Sequence, residues 1–255
     1  MTKSKSRIDL LLVDRGLAPT RQRAQALIMA GQVRLNDRLA QKPSETADAA
    51  AKIELLGPDS KYASRAGAKL EGALTDFSID VHDRLCLDVG ASNGGFTDCL
   101  LQHGARRVYA VDVNTAQLDW KLQRDEHVRT VKKNARFLKP DDLPEPPSLI
   151  TVDVSFISVA KLIAALVAVA QPNATFLILV KPQFELEKKL IGKGGIVRDP
   201  ELHQRAIASV RAAAEKAGLE ILGLQPSRLA GAEGNQEYFL HARRHDSIQS
   251  FELRE

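Results

Sequence analysis

The sequence predicts an α/β protein: a small basic α+β module followed by a larger domain built on a mostly parallel, seven-stranded sheet. Three observations predict it. From Leu85 onward, apolar strand-like runs alternate with helical patterns, as in a parallel sheet covered on both faces. The first of those runs leads into a glycine-rich turn. The excess positive charge is confined to the front of the chain, where residues 1–70 hold 13 Lys/Arg against 7 Asp/Glu while the rest hold 23 against 25. A length of 255 residues suits two domains of unequal size.

In the basic module, Ile8, Leu10, Leu11, Leu12 and Leu17 fit a short amphipathic helix that stops at Gly16. Thr20 is placed to cap a second helix running to Ala30, with Ala24, Leu27 and Ile28 on one face and Gly31 as its stop. Val33-Arg34-Leu35 alternates and Asn36-Asp37 supplies a turn, so a hairpin follows. Arg7, Arg21, Arg23, Arg34 and Arg38 are the cations of this stretch. A solvated face and a polyanion-binding surface both fit them; the planar guanidinium is suited to the second because it engages phosphate oxygens in pairs. Gly57-Pro58-Asp59-Ser60 reads as a linker. The organisation expected is a module over 1–58, a linker over 59–64, a catalytic domain over 65–244 and a tail over 245–255.

Several classes are disfavoured. Cys86 and Cys99 sit among apolar neighbours and form no C-x-x-C pair, which favours buried thiols over a disulfide or a metal site. MTKSKSRIDL has cations but no apolar stretch behind them, so it does not read as a signal peptide. The longest apolar run, 162–170, falls short of the roughly 20 residues that a membrane span requires. A soluble cytoplasmic protein without a bound metal is expected.

In the larger domain the strands read as Leu85–Gly90, Arg107–Val113, Val128–Lys133, Leu149–Ser155, Thr175–Lys181, Leu219–Leu224 and Glu237–Ala242. Helices are expected over Phe96–His103, Ala116–Arg124, Ile157–Ala170 and Pro200–Ala217. The first strand ends in LDVGASNGGFTD, where Gly90, Gly94 and Gly95 let backbone approach a ligand and the free amides of the next helix favour a carboxylate or phosphate. Asp112 ends the second strand, placed to accept hydrogen bonds from a ribose. A nicotinamide cofactor and S-adenosylmethionine both fit so far. The spacing departs from G-x-G-x-x-G, because Ser92 stands where the second glycine would be, and Asp88 upstream favours S-adenosylmethionine. Periodicity puts Asp153 and Lys181 at the carboxyl ends of two strands, on the rim where such sheets bind ligands.

The run RIDLLLVDRGLAPTRQRAQALIMAGQVRLND resembles the S4 RNA-binding domain. In that family the second helix and its leading turn face RNA, which implies contacts from Arg21 and Arg23 with Arg7 nearby. YASRAGAKLE, LDVGASNGGFTD, VDVNTAQL, DVSFIS, LVKPQFE, KGGIVRDP and GNQEYF together resemble the TlyA family of ribosomal RNA ribose 2′-O-methyltransferases, also called haemolysins, whose catalytic part belongs with the FtsJ/RrmJ methyltransferases. The resemblance spans residues 7–243; Ala66 departs from it, standing where glycine is expected. It implies a Rossmann-like class I fold and a Lys-Asp-Lys-Glu tetrad of Lys69, Asp153, Lys181 and Glu237, with Lys181 as base. For S-adenosylmethionine it implies Asp88, Gly90, Ala91, Ser92, Asn93, Gly94, Gly95 and Phe96 at the methionine portion, with Asp153 beside them. Asp112 and Val113 fall to the ribose and Asn134 to the adenine. Arg65 and Arg136 join the implied RNA contacts. The implied partner is ribosomal RNA within ribosomal subunits, modified at cytidine in the large subunit and in some members the small subunit too. A non-catalytic ribosome-binding protein with a vestigial fold is the alternative, and the complete tetrad argues against it. The haemolysin name implies a pore-former, for which the sequence offers no membrane span.

Overall fold

The computed structural model describes residues 5–36, 38–48, 50–55, 61–231 and 234–245, with the Lys193 side chain left out. The chain forms two compact units that meet in sequence at Lys61 and Tyr62. The proposed linker residues Gly57 to Ser60 lie outside the described residues, as does Asp37 of the hairpin turn.

The first unit contains β1 (Lys5–Arg7), α1 (Ile8–Asp14), α2 (Arg21–Met29), β2 (Val33–Leu35), β3 (Arg38–Leu39), β4 (Thr46–Asp48) and β5 (Ile53–Leu55). β2 lies between β3 and β5, and β1 pairs with β4, all antiparallel. Thr20 caps α2 as its sequence position requires, its Oγ1 accepting the Arg23 amide at 3.2 Å. Ile8, Leu11, Leu12, Ala24, Ile28, Val33 and Leu35 form the core. Leu10 does not join it: in a helix whose buried face is set by Ile8, Leu11 and Leu12, a residue two positions from Ile8 points outward, and Leu10 is 39% exposed. Leu17 packs against the core from beyond the helix, its amide bonded to the Leu12 carbonyl.

The second unit contains α3 (Arg65–Asp76), β6 (Leu85–Val89), α4 (Gly95–Gln102), β7 (Arg107–Asp112), α5 (Trp120–Gln123), β8 (Val128–Lys132), β9 (Leu149–Val152) and α6 (Ile163–Val169). β10 (Thr175–Val180), α7 (Pro182–Glu185), α8 (Pro200–Lys216), β11 (Leu219–Pro226) and β12 (Tyr238–Arg244) complete it. Tyr62, Ala63 and Ser64, read from sequence as the linker's end, are packed into this unit: Tyr62 is buried and the Ala63 amide bonds Asp98. One seven-stranded sheet runs β11-β12-β10-β9-β6-β7-β8. Every pairing is parallel except those of β12. From β6 the chain winds outward through β7 and β8, then returns to place β9 on the other side of β6. The strand order therefore reverses between β6 and β9, and a ligand crevice belongs at their carboxyl ends.

Two helices differ from expectation. The one anticipated over 116–124 is a 3₁₀ turn, Thr115–Gln117, and the single-turn α5. Between them Leu118 is extended, so that its side chain is buried with Ala91, Ala110 and Leu122, and the Asp119 side chain caps α5. The helix anticipated from Ile157 begins only at Ile163. Phe156 is in the left-handed region at φ +66, the Glu185 carboxylate takes hydrogen bonds from the Ser158 hydroxyl and the Val159 amide, and only a 3₁₀ turn, Val159–Lys161, precedes the α-helix.

Candidate active site

The β6–α4 turn passes over the end of β9. Gly90 has φ +85, and a Cβ there would stand 2.3 Å from the Asp153 carbonyl oxygen, so both backbone conformation and close approach require glycine. A Cβ on Gly95 would meet the Ser64 Oγ at 2.2 Å and the Ala66 Cβ at 3.0 Å, so this glycine lets α3 and α4 close on each other. Asp112, at the tip of β7, accepts the Ser92 amide at 3.0 Å and the Asn114 amide at 2.9 Å. Its carboxylate thus ties the turn to the next strand. Ala91, Ser92, Asp112, Thr115, Leu118 and Thr130 line a shallow hollow there. Gly94 caps α4 and Asn93, partly exposed, accepts the Asp119 amide through its carbonyl.

Two residues assigned to the cofactor from sequence stand elsewhere. Asp88 is fully buried; Thr97 Oγ1 donates to its carboxylate at 2.6 Å, and burial, only partly offset by Thr97, pushes its pKa up to about 7. It supports the turn from beneath. Phe96 points into the second core cluster and stacks on Phe239 with ring centroids 6.2 Å apart, because the first turn of α4 presents that face to the sheet. Val113 is exposed beyond Asp112. Asn134 is exposed, and its side-chain oxygen accepts the Arg136 amide at 3.0 Å.

The four residues of the tetrad come to one rim. Asp153 follows β9, Lys181 follows β10 and Glu237 precedes β12, and these strands are neighbours in the sheet. Val180 pairs with Tyr238, which leaves Lys181 and Glu237 at adjoining strand ends. Lys69, on α3, donates to Glu237 at 2.6 Å. Lys181 forms an ion pair with Asp153, and its Nζ lies 3.1 Å from the Ser155 hydroxyl. The result is two lysine–carboxylate pairs, each mostly withdrawn from solvent. Glu237 is the most enclosed: a Cβ on Gly231 would fall 2.1 Å from its Oε1, so the Gly231 backbone covers the carboxylate.

The arginines assigned to RNA behave differently from one another. Arg65 and Arg136 are exposed, the latter 5.8 Å from the Phe137 ring centroid. Arg23 is half-buried, while Arg7 and Arg21 both bind the buried Asp9 carboxylate. Arg34 and Arg38 pair with Glu54 and Glu45.

Sequence reasoning missed three supports. Asp9 underlies two arginines, and Glu185 fixes the segment after Asp153. Asn235 is buried, donates to the Gly195 carbonyl at 2.9 Å and accepts the Val197 amide at 3.0 Å, so it ties the glycine loop to the segment carrying Glu237. Glu185 and Asn235 lie inside LVKPQFE and GNQEYF; only their motifs marked them.

The family model described as FtsJ-like methyltransferase matches residues 62–244, and the S4 domain model matches residues 6–53. The 16S/23S rRNA (cytidine-2′-O)-methyltransferase TlyA of Mycobacterium tuberculosis is 43% identical over 94% of this chain and 90% of that protein. The chain belongs to the TlyA family. Hemolysin A of Brachyspira hyodysenteriae is 40% identical over 92% of this chain and 98% of its own length. A solved Streptococcus thermophilus structure carrying the hemolysin name superposes with TM-score 0.75 at 41% identity, covering 96% of this chain and 90% of that one. This TlyA-family chain is thus an S4 domain followed by an FtsJ-like methyltransferase domain. Among the described residues no helix is long and apolar enough to cross a membrane, and no cluster of His, Cys, Asp and Glu could hold a metal ion.

Proposed function

We propose that the protein methylates ribose 2′-hydroxyls, those of cytidines in ribosomal RNA, through the tetrad Lys69, Asp153, Lys181 and Glu237. The observation that carries this reading is the pair of lysine–carboxylate contacts on the rim at the strand reversal, beside the glycine turn. The residues of that turn fit the cofactor: Gly90 lets the turn close on the end of β9, and Asp112 holds the Ser92 backbone that lines the hollow. Gly90 to Gly95 would hold the methionine portion and Asp112 the ribose, with Asn134 toward the adenine. When bound, S-adenosylmethionine supplies an activated methyl group on sulfur.

What remains for the chain is alignment and proton removal. Lys181 is the base. It would take the hydroxyl proton, and the bound cofactor would supply the methyl group to that oxygen. Asp153 and Ser155 hold the Lys181 amine in place, and Glu237 holds Lys69 on the same rim. The S4 domain delivers the RNA by contacts to phosphate, which orient a substrate without reading its sequence.

The test is transfer of labelled methyl from S-adenosylmethionine to unmodified ribosomal subunits, comparing the protein with Lys181→Ala. The reading requires label in an alkali-resistant dinucleotide and its loss in the variant, with cofactor binding retained. Cofactor binding without transfer to either subunit or to free RNA would refute it in favour of a ribosome-binding role.

A further inference from the structure

Asp9 is the most deeply enclosed charged group of the first unit and has no part in the chemistry above. Its side chain is 0% exposed, yet the two arginines upon it are 37% and 52% exposed. Arg7 makes a two-pronged contact, Nε to Oδ1 at 2.9 Å and Nη2 to Oδ2 at 2.8 Å. Arg21 places its Nε 3.0 Å from the same Oδ2, and Gln25 Nε2 adds a fourth bond at 2.9 Å. The local structure explains the convergence. Arg7 ends β1, Asp9 lies in the first turn of α1, and Arg21 and Gln25 are one turn apart on the face of α2 turned toward it.

The geometry has consequences for a polyanion. Because both guanidiniums reach one oxygen, at 2.8 and 3.0 Å, their contacting nitrogens lie within about 6 Å of each other. Two like charges so close would repel and splay apart without the carboxylate beneath them. With it the trio carries a net charge of one, and Nη1 of Arg7 and both terminal nitrogens of Arg21 make no hydrogen bond to Asp9. Arg7 holds the Asp9 carboxyl far below the usual carboxylate range, so the anchor stays ionised at any pH at which the protein would bind RNA.

We propose that Asp9 is a positioning residue that holds Arg7 and Arg21 side by side as one preformed fork for an RNA phosphate. The inference rests on the reading that the first unit binds RNA, and deepens it by naming what organises the contact. It makes a prediction of unusual sign. Asp9→Asn adds one unit of net positive charge, and charge alone would tighten binding to a polyanion. If Asp9 acts by positioning, the same change weakens binding, because two long side chains must then be ordered on association.

The experiment measures binding of the full-length protein to a fluorescein-labelled RNA hairpin of arbitrary sequence, at fixed salt, for wild type, Asp9→Asn, Arg7→Ala/Arg21→Ala and the triple variant. The expected result is roughly tenfold weaker binding for Asp9→Asn, with no further loss when it is added to the double-alanine variant. Unchanged or tighter binding by Asp9→Asn overturns the proposal while leaving RNA binding intact. An equal loss in the double-alanine background also overturns it, since that marks a merely structural role. Failure of the wild type to bind would overturn the RNA reading of the first unit and this inference with it. Should Asp9→Asn not fold, side-chain nitrogen NMR of the wild type decides. Restricted terminal resonances of Arg7 and Arg21 that shift on adding the hairpin support the fork; averaged, unshifted ones overturn it.

Discussion

Glu237→Gln removes one charge from the most enclosed ion pair of the protein and keeps the shape of the side chain. Lys69 Nζ lies 2.6 Å from Glu237 Oε2, with 12% and 2% of the side chains exposed, and Gly231 covers the carboxylate. An ammonium left without its partner in such a place typically costs about 3–5 kcal/mol. Glutamine still offers Lys69 a carbonyl acceptor, so the loss should sit near the lower end, about 3 kcal/mol. For a domain of this size that is roughly 6–12 °C in melting temperature. Urea unfolding followed by fluorescence of Trp120, the sole tryptophan, reports on the second unit alone. Lys69→Met supplies the control: with no ammonium to strand, Glu237→Gln should cost far less in that background. A loss below about 0.5 kcal/mol, or the same loss in both backgrounds, would refute the assignment of Lys69 and Glu237 as a mutually dependent pair.

Two further outcomes follow from the glycine turn and the acid beneath it. Gly90→Ala, which would push a Cβ against the Asp153 carbonyl at a φ of +85, should abolish S-adenosylmethionine binding in isothermal titration and destabilise the second unit by about 1–3 kcal/mol; wild-type affinity would refute the role given to the turn. For Asp88 the folded pKa of about 7 lies above the unfolded value, so the folded state holds the proton more tightly and the carboxyl favours folding most below about pH 4. That contribution falls as pH rises toward 7 and is constant above it, by about 3–5 kcal/mol in all. Asp88→Asn should therefore flatten the stability profile across that window relative to wild type; parallel urea-midpoint profiles for the two proteins would show that Asp88 is not held protonated.

Much of the architecture was legible because strand positions in a covered parallel sheet are written as apolar runs. Cys86–Val89, Leu149–Val152 and Phe176–Val180 are buried from end to end, and no helical arrangement would bury such runs as completely. The rim was legible for the same reason: a charged residue directly after a buried strand must stand at its end, as Asp153 and Lys181 do. Helix beginnings were less legible, since periodicity records which residues face inward and not where the backbone starts to coil. Val159 falls on the apolar period of α6, yet the backbone makes only a 3₁₀ turn over Val159–Lys161 and the α-helix starts at Ile163. Phe96 and Asp88 misled because an aromatic and an acid beside a ligand turn carry the same letters whether they face the ligand or the core.

Local chemistry along the chain was thus sufficient for the class of fold, the Thr20 cap, the glycine requirement at the β6–α4 turn and the motifs that mark the family. Only the tertiary structure decided which charges meet. The pairing of Lys69 with Glu237 joins residues 168 positions apart, and the convergence of Arg7, Arg21 and Gln25 on Asp9 depends on how α1 and α2 pack. The physical reason is common to both. Hydrophobic periodicity is a property of neighbouring residues and survives in one dimension, whereas the environment of a charge is set by whatever the folded chain brings within a few ångströms of it.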